Sequence, residues 1–150
     1  MKTIYLSGDH AGFVLKEKIK TWLEKTGYEV NDLGPHGFDK DDDYPDYILP
    51  MIRSFKKEKA SAGLIFAGSG QGEAMLANKF KGVRAAVYYG KNSKIPKLTR
   101  EHNDANILCI GCFFVKETEA KKAISEFLKT KFAGGRHERR LRKFSNLGNN

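Results

Sequence analysis

The stretch "AGLIFAGSGQGEAMLANKF" (residues 62–80) joins an apolar run to a helix-forming segment through a glycine-rich turn. Its first part, "AGLIFAG", predicts a buried strand, and "GEAMLANKF" predicts the helix that follows. Because glycine tolerates unusual dihedrals and lets a ligand approach closely, the backbone N–H groups of "GSGQG" (68–72) can converge on an anion. The turn is neither a P-loop nor a full G-x-G-x-x-G fingerprint, so an ordinary strand-to-helix turn is an equally good interpretation.

The same alternation of strand and helix runs along the rest of the chain. Four further strands are predicted at "TIYLSG" (3–8), "YEVNDLG" (28–34), "VRAAVYY" (83–89) and "NILCIG" (106–111). The other helices are predicted around residues 15–23, 48–55, 93–102, 117–132 and 136–144. Continuous apolar strands separated by helices predict an α/β fold whose five-stranded parallel sheet is covered on both faces. Ligands of such sheets bind at the carboxyl ends of the strands.

Length and charge limit the classes of function. The 150 residues are expected to form one domain, and with no apolar span or signal-peptide pattern we expect it in the cytoplasm. The net charge of +9 is uneven, because "FDKDDDYPD" (38–46) is acidic and "KFAGGRHERRLRK" (131–143) is basic. The basic segment suits a nucleic acid, a membrane surface or a phosphorylated small molecule. No nucleic-acid-binding motif supports the first of these.

Glu73 directly follows the glycine turn and opens the third predicted helix. An acidic residue in the first turn of a helix complements the helix dipole, and this structural explanation is sufficient on periodicity alone. The functional alternative is enolisation, in which a base removes a proton next to a carbonyl while N–H donors hold the resulting oxyanion. In that case the turn would face the developing negative charge, and the carboxylate would face the carbon that loses its proton.

Other polar residues have both structural and functional interpretations. Asp9 in "GDHAG" (8–12) follows the first strand and is also a common type of helix cap. The structural interpretation of His102 is an ordinary surface histidine. Its functional interpretation, in a site that carries out acid–base chemistry, is a candidate proton donor. Arg136 and Arg140 are four residues apart on one face of a predicted helix. This spacing suits the binding of one phosphate by both side chains, and it equally suits a solvated basic face.

The two cysteines, Cys109 and Cys112, form a C-x-x-C pair at the end of the fifth predicted strand. A redox pair needs its first cysteine at a helix N-terminus, and a zinc site needs two more ligands nearby. The surrounding apolar sequence offers neither, so both cysteines are expected to be buried thiols.

Five motifs taken together resemble the type B ribose-5-phosphate isomerases, within the wider group that includes galactose-6-phosphate isomerases. They are "GDHAGFVLK", "DYPDY", "GSGQGEAMLANK", "REHNDAN" and "GRHERR". The resemblance implies a Rossmann-like α/β/α sandwich, with neither metal nor nucleotide cofactor. It further implies a homodimer, with a tetramer left open, whose active sites lie between subunits, and a sugar phosphate, rather than nucleic acid or membrane, as ligand. The implied reaction interconverts ribose 5-phosphate and ribulose 5-phosphate in the pentose phosphate pathway.

The resemblance also implies roles for single residues. One branch of the family uses a cysteine where this chain has Ala67, and the other uses a glutamate at the position of Glu73, which is therefore the implied base. Ser69 and the loop amides would stabilise the enediolate, and Asp9 and His102 would assist ring opening. The implied substrate-binding residues are His10, Tyr44, Gly68, Gly70, Gln71, Gly72, Asn103, Arg136, His137 and Arg140.

One position departs from the family pattern. Phe113 stands where relatives usually carry an arginine, so a charge-assisted phosphate contact is absent. An isomerase of a six-carbon sugar phosphate, such as galactose 6-phosphate or allose 6-phosphate, is therefore an alternative. A non-catalytic sugar-phosphate-binding protein is a second alternative, and a nucleic-acid-binding module that uses the basic segment is a third.

Overall fold

The computed structural model describes residues 3–58 and 62–149 and contains one parallel sheet between layers of helices. The strands are β1 (Thr3–Gly8), β2 (Glu29–Asp32), β3 (Ala62–Ala67), β4 (Ala85–Tyr88) and β5 (Ile107–Gly111). The helices are α1 (Phe13–Lys25), α2 (Pro45–Lys57), α3 (Gln71–Ala77), α4 (Lys94–Asn103), α5 (Glu117–Lys129) and α6 (Arg136–Arg142). The strand order is β2-β1-β3-β5-β4. The predicted α/β fold with a five-stranded parallel sheet is confirmed.

Two hydrophobic clusters hold the layers together, one on each face of the sheet. On one face, Ile19 of α1 and Ile124 and Phe127 of α5 pack on the sheet. On the other face, α2 and α3 supply Ile52 and Ala77 among others. Each of these helices therefore buries an apolar side against the sheet.

Three helices end earlier than their sequence patterns predict: α3, α5, and α6, which ends at Arg142 rather than at residue 144. Helix α3 ends at Ala77, because the Asn78 side chain turns to pair with the backbone N–H and carbonyl of Ala85 at 2.8 and 2.9 Å. Helix α5 ends at Lys129, because Thr130 has an extended backbone with ψ 132°. No helix within the described ranges combines the length and the apolar character that crossing a bilayer requires.

The order of the strands determines where a ligand can bind. From β1 the chain passes to β2 on one side, whereas β3 lies on the other side of β1, so the β1/β3 boundary is a topological switch point. In open parallel sheets the crevice at such a point, outside the carboxyl ends of the strands, is where ligands bind. Gly8 pairs with Phe66 at this edge, and the loops that follow them therefore begin side by side.

Candidate active site

The glycine turn lies at the carboxyl end of β3, in contact with the loop that follows β5. Gly70 has φ +77°, a left-handed conformation that favours glycine, and a Cβ added there would lie 3.3 Å from that of Cys109. Ser69 is exposed, and its Oγ accepts a 3.4 Å hydrogen bond from the N–H of Gln71. The turn therefore presents a hydroxyl and backbone at the sheet edge.

The turn after β1 packs directly against the end of β3. The N–H of Asp9 donates to the Phe66 carbonyl at 3.1 Å, and the N–H of Gly12 donates to Asp9 Oδ1 at 3.2 Å. A Cβ added to Gly12 would lie 1.9 Å from the Phe66 carbonyl oxygen, so no larger residue fits without a backbone shift. This close approach fixes the carboxylate of Asp9 beside the glycine turn.

Glu73 and Asp9 form a buried pair of carboxyl groups, with exposed fractions of 4% and 8%. Burial, followed by the neighbouring Asp9 carboxyl, raises the pKa of Glu73 to about 6, and its own backbone N–H opposes this only in part. Burial likewise raises the pKa of Asp9. A carboxylate with a pKa close to neutral is suited to accept and return a proton near physiological pH.

Residues of the acidic run and a further residue of the turn after β1 border the same edge. A methyl group added to Gly72 would lie 2.8 Å from the Tyr44 hydroxyl, so the Tyr44 side chain lies against the glycine turn. His10 follows Asp9, and its Nδ1 lies 2.6 Å from Oδ1 of Asp42. Asp42 is not among the predicted site residues, although it belongs to the acidic run before Tyr44.

The other predicted site residues lie at the opposite edge of the sheet. Helix α4 runs back from the end of β4 to the start of β5, so His102 and Asn103 in its last turn precede a strand. The neighbouring Asn106 bonds to Arg84 and Gly63, which lie where β4 and β3 begin. This edge is the amino-terminal one, across the sheet from Glu73.

Helix α6 packs against the last turn of α4, which carries His102 and Asn103. The rings of His102 and His137 stack at 4.2 Å and 10°, and the N–H of Ala133 donates to the Glu101 carbonyl at 3.0 Å. Loss of solvent contact lowers the pKa of His137, and the charges of His102, Arg136 and Arg140 lower it further. Together these residues form a basic cluster: His102, Asn103, Arg136, His137 and Arg140.

The basic cluster lies beside a cavity at the edge of the sheet. The cavity has a volume of about 500 Å³ and its lining includes Ala86 of β4, Asn103 and Leu141. One chain therefore holds two parts of the predicted site, the carboxyl pair with the glycine turn and the basic cluster, on opposite edges of its sheet.

Phe113 lies on the carboxyl edge. Its N–H donates to the Gly68 carbonyl at 3.0 Å, and a Cβ added to Gly68 would meet its ring at 2.5 Å. The ring is nevertheless 72% exposed and packs edge-on against Phe114. An aromatic surface thus borders the glycine turn at the position of the usual family arginine.

Both cysteines are free thiols, and Cys109 is buried. Burial raises the pKa of both, that of Cys112 to about 12, so neither is a thiolate at neutral pH. In the described part of the chain, no three His, Cys, Asp or Glu side chains converge as ligands of a metal ion would.

A family model described as Ribose/Galactose Isomerase matches residues 4–144. The chain belongs to this family. The probable ribose-5-phosphate isomerase B of Mycoplasma genitalium is 41% identical over 141 residues, which are 93% of this chain and 91% of that protein. The ribose-5-phosphate isomerase B of Mycolicibacterium paratuberculosis is 36% identical over 139 residues, 92% of this chain and 86% of that protein.

Solved structures of the family have the same fold. Ribose-5-phosphate isomerase B of Mycoplasma genitalium, with bound ribulose-5-phosphate, matches with a TM-score of 0.90 and 40% identity over 95% of this chain and 93% of that one. The enzyme from Thermotoga maritima matches with a TM-score of 0.90 and 38% identity over 97% and 99% of the two chains. The resemblance drawn from the five motifs, and the prediction of an isomerase of this family, are confirmed. The roles of single residues stay predictions.

Proposed function

We propose that this chain, as one domain over residues 1–150, interconverts D-ribose 5-phosphate and D-ribulose 5-phosphate in the cytoplasm. The observation that carries the proposal is the buried Glu73, with a pKa raised to about 6, next to a glycine turn at the carboxyl edge. Relatives of 36–41% identity over most of the chain are named ribose-5-phosphate isomerase B, and one such structure holds ribulose-5-phosphate.

The proposed chemistry is a proton transfer between C2 and C1 of the open-chain sugar. Asp9 and His102 assist the opening of the furanose ring, with His102 as the proton donor. Glu73 then removes the C2 proton of the aldose, and the negative charge of the cis-enediolate oxygen is held by the amides of residues 68–72 and by Ser69. Glu73 returns the proton to C1 while the proton of the C2 hydroxyl passes to the oxygen on C1, so that no atom is gained or lost.

The remaining residues bind the substrate. Tyr44, which lies against Gly72, and Asn103 contact the sugar hydroxyls in this scheme. The phosphate is held by His10 and by three members of the basic cluster: Arg136, His137 and Arg140. Binding energy from the phosphate orients the reacting carbons, so phosphate-free sugars should react poorly.

The separation of the two groups across the sheet supports a homodimer as the active form. Glu73 follows β3 at the carboxyl edge, whereas His102 precedes β5 at the amino edge. A single chain therefore does not bring its own base and its own basic cluster to one substrate, but a second copy can supply the cluster. In a symmetric dimer each chain would complete the other's site.

The direct test is to incubate the purified protein with ribose 5-phosphate in EDTA and follow ribulose 5-phosphate. We expect turnover, together with exchange of the C2 hydrogen with solvent. A protein that binds the sugar phosphate without turnover or exchange would instead be a non-catalytic binding protein, and the proposed function would be wrong.

The rate should depend on pH through Glu73. The carboxylate form is the active base, so with its pKa at about 6 in the free protein we expect kcat/KM to fall about tenfold per pH unit below this value. The rate is measured at substrate concentrations well below KM from about pH 4.5 to 8. A rate that stays constant down to pH 5 would contradict a raised pKa for the base.

A six-carbon sugar phosphate is the second candidate substrate, and the exposed ring of Phe113 favours it. No cation stands at this position, and the apolar ring borders Gly68 of the turn. Parallel measurements with ribose 5-phosphate and with allose and galactose 6-phosphates distinguish the candidates. Higher kcat/KM for a six-carbon substrate would retain the chemistry and change the sugar.

Introducing the missing charge should strengthen phosphate binding. For Phe113→Arg we expect the KM for ribose 5-phosphate to fall by about tenfold with kcat little changed, because a charge-assisted hydrogen bond contributes about 1.5–3 kcal/mol. Phe114→Arg, at the neighbouring exposed aromatic, is the matched control. Equal effects of the two variants would indicate a general attraction of the anion rather than a specific contact.

A further inference from the structure

Asp42 differs from its neighbours in the acidic run because its side chain is buried. Only 2% of it is exposed, whereas Asp41 and Asp43 are exposed. Its Oδ1 lies 2.6 Å from Nδ1 of His10, and its Oδ2 is buried with no hydrogen-bond partner within the described part of the chain. The contact spans 32 residues of sequence, so it joins the acidic run to the turn after β1.

The burial of the Asp42 side chain favours the protonated, cationic form of His10. A carboxylate removed from water is stabilised when its hydrogen-bond partner is a cation, and His10 is that partner here. A carboxylate only accepts, so Nδ1 of His10 carries the hydrogen and donates it. The hydrogen-bonding capacity of Nε2 is then left for a ligand, and the His10 side chain is 37% exposed.

Every charged group that affects His10 acts in the same direction. Asp42 and Asp39 from the acidic run, and Asp9 from the end of β1, all raise the pKa of His10, and the hydrogen bond that His10 donates to Asp42 has the largest effect. Partial burial opposes them, but the net result is a raised pKa. The ring of Phe38 packs edge-on against the imidazole, with the ring centroids 6.3 Å apart.

We propose that Asp42 is a positioning residue that holds His10 as an imidazolium, with Nε2–H directed to the phosphate group of the substrate. This inference rests on the proposed function, in which His10 binds that phosphate. Asp42 does not touch the substrate. It sets the charge and the orientation of the residue that does, much as a carboxylate orients the histidine of a metal site.

The test replaces Asp42 by Asn, which keeps the shape and removes the charge. In the NMR titration, with the His10 signal assigned from His10→Gln, we expect the pKa of His10 to be lower in the variant than in the wild type. The KM for ribose 5-phosphate and the inhibition constant of inorganic phosphate should rise about tenfold, with kcat within about twofold. Asp41→Asn, which removes an exposed charge from the same run, should change none of these values.

A double-variant cycle separates positioning from a general structural effect. If Asp42 acts through His10, then Asp42→Asn should raise KM much less in the His10→Gln background than in the wild type. Equal rises in both backgrounds, or an unchanged pKa of His10, would overturn the inference. Absence of turnover in the wild type would refute the proposed function, while the NMR titrations with and without inorganic phosphate would still decide whether Asp42 controls His10 and its anion binding.

Discussion

Glu73→Gln is expected to lower kcat for the interconversion of ribose 5-phosphate and ribulose 5-phosphate by about 10²–10⁴-fold. The amide has nearly the shape of the carboxyl group but cannot accept the C2 proton. Substrate binding should change little, because the phosphate is held elsewhere in the proposed site. The measurement is steady-state turnover beside the rate of C2 hydrogen exchange, and both should fall together.

The loss of turnover should not come from unfolding. Burial of the ionised Glu73 is unfavourable, because it raises the pKa of this group from 4.5 to about 6. The free energy of unfolding of the glutamine variant should therefore be up to about 2 kcal/mol higher than that of the wild type at pH 8. This advantage should decline as the pH falls through 6 and disappear below about 4.5, where the carboxyl is protonated in both states. Glu24→Gln, at an exposed position in α1, should leave turnover unchanged. Near-native turnover in Glu73→Gln would remove this residue as the base.

Two inactive variants should regain activity when they are paired. In a heterodimer of Glu73→Gln with His102→Asn, one site combines the intact Glu73 of one chain with the intact His102 of the other, and the second site has neither. We expect about half of the wild-type turnover, because one of the two sites of a symmetric dimer is intact. Co-expression with two affinity tags and sequential purification isolates the heterodimer.

The control places both substitutions on one chain and pairs it with the wild type. Each site then lacks one of the two residues, so this heterodimer should have almost no activity. Sites built within single chains would give the reverse, activity in the control and none in the first pairing. A protein that sediments as a monomer with full turnover would exclude the shared site altogether.

Local sequence was sufficient for the elements and for the position of the glycine turn. Apolar runs and helical periodicity depend on near neighbours, and the five strands and the helices were predicted from them. The predicted ends of the helices were less accurate. Helix α3, for example, ends before Asn78, whose side chain hydrogen-bonds to the backbone of Ala85, seven residues away in another element. Contacts of that kind are not visible in the periodicity.

The candidate site was predictable in composition but not in arrangement. The order of the motifs identified the family and its implied residues, including Glu73 and His102. Asp9 follows a strand while His102 precedes one, which is a sequence signal that the two residues lie at opposite edges of the sheet. How far apart they lie depends on the order of the strands, which the sequence does not show. The role proposed for Asp42 had no comparable signal, because its exposed neighbours have the same charge.

The sequence by itself determined the α/β alternation, the family and the residue types available for chemistry, because each follows from local patterns of side chains. The tertiary structure decided the pKa of Glu73, the pairing of Asp42 with His10 and the separation of the basic cluster from Glu73. Burial and proximity are set by residues far apart in the chain. The opposing effects of burial and of the helix N-terminus on Glu73 could therefore be weighed only after folding had brought Asp9 beside it.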